Sequence, residues 1–515
     1  MSGKNISVLD IPPGLFKDST KYAAGRNWFS GNQVRWYKDM LAPVGGWQQV
    51  LDFPNAQTPI RDMFSWRDHL KAAWGAAGSS DALYSFKVLG SGNYQRHDIT
   101  PPTLAFNPGG IVGYGRGTYG SGYYGRDDAT VSIDDTAQWS FDNFGQLLMA
   151  VHSQDGRLFV YDPQTASTVA APILEAPLAN NLVIATEEEH LMLMGGSGNP
   201  RRVAWCSQRD YLDWTPTPTN SAGGFDLQSD GTIVGAAKVQ GGILVFTNTD
   251  VHMIEYLGPP YYYGRRRITD ESGIKGKNCV TTFALGAIWV SESNFWRFDG
   301  GVAILPCNVH AEVFYSSNLT DPSRLNLFTN AWAQEVWFSY PGKTHAEPDR
   351  YALVGGLNYK MYWSLGDIPR TAWLNPVWQD KPIACNGNIM YQHEEGFTAD
   401  GVSRNGIVFA TTGSFEIGDG DKVMRVDRVY PDFALVDGPD TFADNAPGAA
   451  SVTFQLRQAP QAVNRTYGPV QLDSPSGYTT VRFRARQVAL SVKQEKDEFW
   501  TLGKLRIRVK EAGKR

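Results

Sequence analysis

The sequence predicts an all-β protein whose main body is a β-propeller of six or seven blades, and three observations carry that prediction. Long helical periodicity is nearly absent. Short apolar runs bounded by Gly, Asn, Asp or Pro recur throughout, as in strands and hairpins. Seven of those runs align as copies of one strand at blade-like spacing.

The copies are 69–74 (HLKAAW), 146–151 (QLLMAV), 190–194 (HLMLM), 242–246 (GILVF), 287–290 (AIWV), 335–338 (EVWF) and 388–391 (NIMY). After the first gap they recur at close to the 40–50 residues of a four-stranded blade. The longer first gap holds an insertion. A second run follows most copies: 83–86 (LYSF), 158–161 (LFVY), 203–205 (VAW), 252–256 (HMIEY) and 295–298 (FWRF). Asp155-Gly156, 248–250 and Ser293-Asn294 fall between the paired runs, where tight β-turns favour such residues. One hairpin cannot bury both its faces, so the copies must pack side by side into a closed array.

At 515 residues the chain exceeds what one ordinary core supports, and three segments are expected. Residues 1–60 read as an N-terminal extended arm anchored by aromatics, with Arg26-Asn-Trp28, Asn32-Gln-Val-Arg-Trp36 and Pro43-Val-Gly-Gly-Trp47. Residues 61–412 form the propeller, with an inserted Gly/Tyr loop near 100–135. Residues 413–515 alternate apolar and polar side chains and form a C-terminal β domain, sandwich-like. The 53 Gly and 29 Pro, about a sixth of the chain, are turn punctuation, since they follow no collagen period.

A formal charge of −5 supplies no global field for nucleic acid or an anionic membrane. The basic residues gather at the end, with eleven Lys or Arg against four Asp or Glu from Val481 to Arg515. Arg482, Arg484 and Arg486 share one face of a strand; that face meets phosphate or an acidic subunit, or is the solvated face of an ordinary sheet. Arg265-Arg-Arg267, after three tyrosines, is a second basic patch, read as an interblade loop. In 113–125 (GYGRGTYGSGYYG) glycine alternates with tyrosine. Tyr119, Tyr123 and Tyr124 are its candidate interface contacts, the alternative being a merely flexible loop.

The four cysteines lie far apart without a C-x-x-C pair and are expected as reduced, buried thiols. No apolar run is long enough to span a bilayer, and the first residues lack a signal-peptide core, so synthesis in a cytoplasm is expected. The eight histidines show no zinc-hydrolase spacing; His190 after Glu187-Glu-Glu189 and His393 before Glu394-Glu395 read as solvated acidic turns. There is no nucleophile elbow, and the Gly/Tyr segment lacks the Lys-Ser/Thr of a phosphate loop. No enzyme activity, metal or cofactor is therefore expected. The strongest enzymatic rival is a glycan-cleaving propeller, because 153–159 (SQDGRLF) faintly matches the turn repeated in sialidases.

Asn32-Gln-Val-Arg-Trp36 followed by Pro43-Val-Gly-Gly-Trp47 resembles the opening of tail nozzle proteins of short-tailed bacteriophages, also called tail tubular protein B. The likeness continues through the Gly/Tyr insertion, the copied strand pairs and the basic C-terminal segment. It implies a structural virion protein, made in the host cytoplasm and placed in the tail. There it would assemble as a homohexameric ring below the adaptor, contact tail fibres or spikes, and shape the conduit for genomic DNA without sequence-specific binding. The acidic bulk suits a conduit that should not grip a polyanion. The alternatives are a receptor-binding or glycan-cleaving propeller of a phage tail, with clustered carboxylates and exposed Trp at one mouth, and a host β-propeller interaction scaffold.

Overall fold

The architecture is that of a computed structural model describing residues 5–90, 92–105, 136–165, 169–196, 198–284, 286–357, 360–417, 422–433, 449–459, 462–472 and 477–513. Among these residues, seven four-stranded antiparallel sheets succeed one another as the blades of a propeller. Their innermost strands are Asp62–Arg67, Trp139–Phe144, Leu182–Ala185, Ile233–Val239, Val280–Phe283, Asn326–Asn330 and Ala372–Leu374. Each lies beside the next around the axis, and the seventh returns against the first. The expectation of six or seven blades thus resolves to seven.

Six of the seven copied runs are the second strand of a blade: Ala73–Gly78, Leu147–His152, Leu191–Met194, Gly242–Thr247, Gly286–Val290 and Glu335–Tyr340. A second strand is covered by neighbouring blades on both faces, so it is an almost unbroken apolar run instead of an alternating one. Every described residue of Ala73–Gly78, Gly286–Val290 and Glu335–Tyr340 is buried. Two readings shift. In the first copy, 69–70 is turn, 71–72 lies outside any element and the strand starts at Ala73. The seventh copy lies in Ile389–His393, a third strand, and the second strand of that blade is Ile383–Asn386.

The last blade explains the slip, because its outermost strand is Trp47–Asp52, which pairs antiparallel with Ile389–His393 and closes the ring. The segment expected as an extended arm is therefore woven into the fold. Asn5–Leu9 joins a sheet with Leu505–Glu511, Met424–Pro431 and Thr479–Ala485. Trp28–Asn32 joins a second sheet with Phe409–Thr412, Gln487–Gln494, Ala450–Arg457 and Arg465–Gln471. These two sheets form the C-terminal β domain, which is built on strands from both ends of the chain. A hairpin, Val34–Tyr37 with Met40–Pro43, connects the sandwich strands to the closing strand. One buried apolar cluster runs without a break from Trp289, Trp337 and Tyr351 of the propeller through Trp36 to Val426, Leu490 and Ile507 of the sandwich.

The Pro43–Trp47 turn sits at that junction, where its glycines permit a close backbone approach. A Cβ on Gly45 would lie 2.3 Å from Glu394 Oε2, and one on Gly46 would lie 2.3 Å from the Thr398 carbonyl oxygen. The Trp47 ring is flanked by the buried guanidiniums of Arg370 and Arg404, 5.0 and 5.4 Å from its centroid. Arg404 also donates to Gln33 Oε1 at 3.1 Å, to the Val44 carbonyl at 2.8 Å and to the Phe397 carbonyl at 2.8 Å. It thereby ties the propeller exit to the N-terminal hairpin.

Candidate functional site

Two places gather polar chemistry: the cavity on the propeller axis and one face of the C-terminal sandwich. The cavity, about 600 Å³, is lined by residues from all seven innermost strands or their leading turns. Two ion pairs span it between blades that are not neighbours in the ring. Lys277, leading into the fifth blade, donates to Asp62 Oδ1 of the first blade at 2.7 Å, and Asn278 donates to the same oxygen at 2.7 Å. Asp62 Oδ2 accepts from the Trp139 amide of the second blade at 2.7 Å. Lys238 of the fourth blade meets Asp142 of the second at 2.6 Å. Burial pulls the Lys277 ammonium below its ordinary pKa, with Asp62 opposing. Phe328 and Trp373 stack at 4.0 Å in the wall. Each carboxylate here is occupied by a lysine, so the cavity is braced from blade to blade.

The sandwich face is the outer surface of the sheet containing Thr479–Ala485. Arg482 and Arg484 are exposed on it, alternating with buried Val481, Phe483 and Ala485. Arg486 does not share that face. It is half-buried at the corner where the chain leaves this sheet for Gln487–Gln494 of the other, and its amide bonds to the Arg457 carbonyl at 3.2 Å. The sheet supplies other cations in its place. Arg425 stands opposite both Arg484 and Lys510; Arg428 stands opposite Arg508; Arg506 stands opposite Tyr430 and Val8. Among the described residues, seven cations of these strands thus share a face with one carboxylate of the same strands. That carboxylate, Asp427, accepts from Arg508 at 2.5 and 2.8 Å and lies 3.7 Å from Lys510. The Arg508 hydrogen bonds hold its pKa below the ordinary aspartate value.

The alternation in Leu505–Glu511 was visible in the sequence. Arg425 and Arg428 were not, because they lie on Met424–Pro431, which carries a bulge between Val426 and Arg428 that breaks the period of two. Arg265, Arg266 and Arg267, expected in an interblade loop, lie in the outermost strand of the fourth blade, Tyr262–Thr269. There Arg266 pairs with Glu255 at 2.9 Å, Arg267 pairs with Asp270 at 2.7 Å, and Arg265 lies over the Phe225 ring. Tyr119, Tyr123 and Tyr124 fall outside the described residues.

The histidines expected at solvated acidic turns are buried. His190 bonds to the Tyr263 hydroxyl at 3.0 Å and the Ser221 hydroxyl at 3.1 Å. Beside His393, Glu394 is buried and accepts from Arg35, from Asn330 at 3.1 Å and from the Gly45 amide at 3.1 Å. Among the described residues, no three His, Cys, Asp or Glu side chains are grouped to hold a metal ion.

No family model matches the chain, and no curated protein matches it. Solved structures do. One is YCF48 bound to D1 peptide, at 10% identity and a TM-score of 0.38, with 68% of this chain and 97% of that one covered. Another is PorZ, a bacterial surface component of the type-IX secretion system of Porphyromonas gingivalis, at 9% identity and a TM-score of 0.37. That match covers 74% of this chain and 44% of PorZ. Neither is a tail nozzle protein.

Proposed function

We propose that this chain is a structural subunit of the tail nozzle of a short-tailed bacteriophage. It would form, with copies of itself, a ring below the adaptor through which DNA leaves. The observation that carries the reading is the N-terminal run Asn32-Gln-Val-Arg-Trp36 and Pro43-Val-Gly-Gly-Trp47, the part most like nozzle proteins. In this fold that run has a mechanical task, since it joins the sandwich to the strand that closes the propeller. A subunit loaded by a passing polymer benefits from such interlacing, because pulling the two bodies apart requires stripping ladder hydrogen bonds as well as separating surfaces. The conduit belongs to the assembled ring and not to the propeller axis of one chain, which ion pairs bridge.

Electron microscopy of the parent particle, with antibody fragments raised against the purified chain, tests this reading. Labels arranged around the distal tail, and a closed ring when the chain is mixed with the adaptor, are the expected results. Labels on the capsid or on fibre tips, or a chain that stays monomeric with the adaptor and cleaves a glycan, would overturn it.

A further inference from the structure

The outer face of the sandwich sheet carries charge of mostly one sign. The chain as a whole carries 52 Asp and Glu against 47 Lys and Arg. Among the described residues the strands of this face carry Arg425, Arg428, Arg482, Arg484, Arg506, Arg508 and Lys510 with Asp427 among them, and Lys504 paired with Asp10 at 3.0 Å lies at the end of the rows. Asp427 engages Arg508 and Lys510, and Arg428 lies over the Tyr478 ring at 4.1 Å. Arg425 acts on Asp427 only through space, without an ion pair, and Arg482, Arg484 and Arg506 make no ion pair among the described residues. An ordinary solvated sheet intersperses both signs, because like charges directly opposite one another across strands repel. Here Arg425 faces Arg484 on one side and Lys510 on the other.

We infer that this face binds the phosphate backbone of a nucleic-acid strand, independently of sequence. Charge complementarity is the first argument: a polyanion relieves the repulsion among the unpartnered guanidiniums. The residue type is the second. Six of the seven cations are arginine, whose planar fork pairs phosphate oxygens two at a time. The sheet sets them in rows about 4.8 Å apart across strands and about 6.8 Å apart along them, so one extended chain of phosphates touches several. The third argument is aromatic. Tyr430 and Tyr478, both half-buried, lie side by side at one end of the rows, ring centres 5.7 Å apart, with the Arg428 guanidinium over the Tyr478 ring, an aromatic and guanidinium edge of the kind that meets bases. An anionic membrane would ask for more apolar surface than Ile6 and Val8 of the edge strand provide. The inference does not rest on the nozzle reading.

Fluorescence anisotropy of the full chain against a labelled oligothymidylate of twenty residues tests it, with the duplex of the same length and phosphatidylglycerol vesicles as parallel arms. Binding to the single strand should weaken about 100-fold between 50 and 200 mM salt if about five phosphates are neutralised. Arg482→Glu with Arg484→Glu should weaken it at least tenfold and flatten the salt slope. Tyr478→Ala should weaken the single strand more than the duplex. Both arginines are exposed, so circular dichroism and the melting midpoint of the double variant should match the parent, and Arg425→Gln provides an independent, milder loss. Binding to vesicles alone, binding to none of the three, or binding unchanged in the charge-reversed variant would each overturn the inference.

Discussion

Arg370 donates from Nε to Nε2 of His393 at 2.8 Å, so a buried, neutral imidazole accepts a hydrogen bond from a buried cation. Both are covered by Trp47, which stacks on His393 at 5.5 Å and lies beneath the Arg370 guanidinium. A proton on Nε2 would break the bond and set two positive charges side by side.

The pH dependence follows from that pair. Burial first, and then Arg370 and Arg404, hold His393 well below its ordinary pKa. The unfolded chain therefore binds a proton near pH 6.5 that the folded chain refuses. The contribution of His393 is fully present above that value and is lost at about 1.4 kcal/mol per pH unit as the solution is acidified below it. Thermal unfolding from pH 8 to pH 5 should show a falling midpoint below about pH 6.5. His393→Gln, which keeps an acceptor for Arg370, should make that fall shallower; an identical acid limb in the variant would rule His393 out as its source.

The Gly46-Trp47 junction gives a second prediction. Trp47→Ala removes the ring shared by Arg370, Arg404 and His393, and should cost about 3–5 kcal/mol in denaturant unfolding. Gly46→Ala forces a methyl against the Thr398 carbonyl and should cost about 1–3 kcal/mol. Unchanged midpoints in both variants would mean that the closing strand is not held where the structure places it.

Much of this junction could not be read from the sequence. The second strands stood out because neighbouring blades cover both their faces and leave an apolar run. The outermost strands, such as Asn93–Asp98 and Gly223–Asp226, face solvent and look like loops. Glu394 beside Glu395 looked like a solvated turn because its partner, Arg35, arrives from the far end of the chain. Arg486 continued the alternation of Arg482 and Arg484 in sequence, but the chain turns the corner between sheets at that residue. The sandwich was recognised from its C-terminal strands alone, since Asn5–Leu9 and Trp28–Asn32 are too short to announce which sheet they join.

The bridge across the axis can be tested by breaking it on one side. Asp62→Asn leaves Lys277 buried without its counter-charge and should destabilise the chain by about 3 kcal/mol. Asp62→Asn combined with Lys277→Met should recover most of that loss in the same urea titration. If the double variant is no better than the single one, the two residues do not act as a pair.

The thiols make a simpler case. Burial raises Cys206 to about 11 and Cys279 and Cys307 to about 12, and Cys385 is pushed higher still. At pH 8 the thiolate fraction of each is below about one in a thousand. A disulfide-exchange reagent should therefore release almost no colour from the native chain and four equivalents after denaturation. Rapid native release of even one equivalent would contradict the packing around that cysteine.

The closing strand also imposes an order on events during synthesis. Trp47–Asp52 leaves the ribosome early, but the strand that receives it, Ile389–His393, follows only after six blades have been made. At ordinary elongation rates the delay is on the order of tens of seconds. Asn5–Leu9 waits longer, until Leu505–Glu511 is out. Throughout that interval the nascent chain carries unpaired strand edges at its leading end, and every blade formed meanwhile belongs to an open arc. The propeller can thus close once Ile389–His393 is out, whereas the sandwich waits for Leu505–Glu511, and a chain cut short between the two closes the first body and not the second.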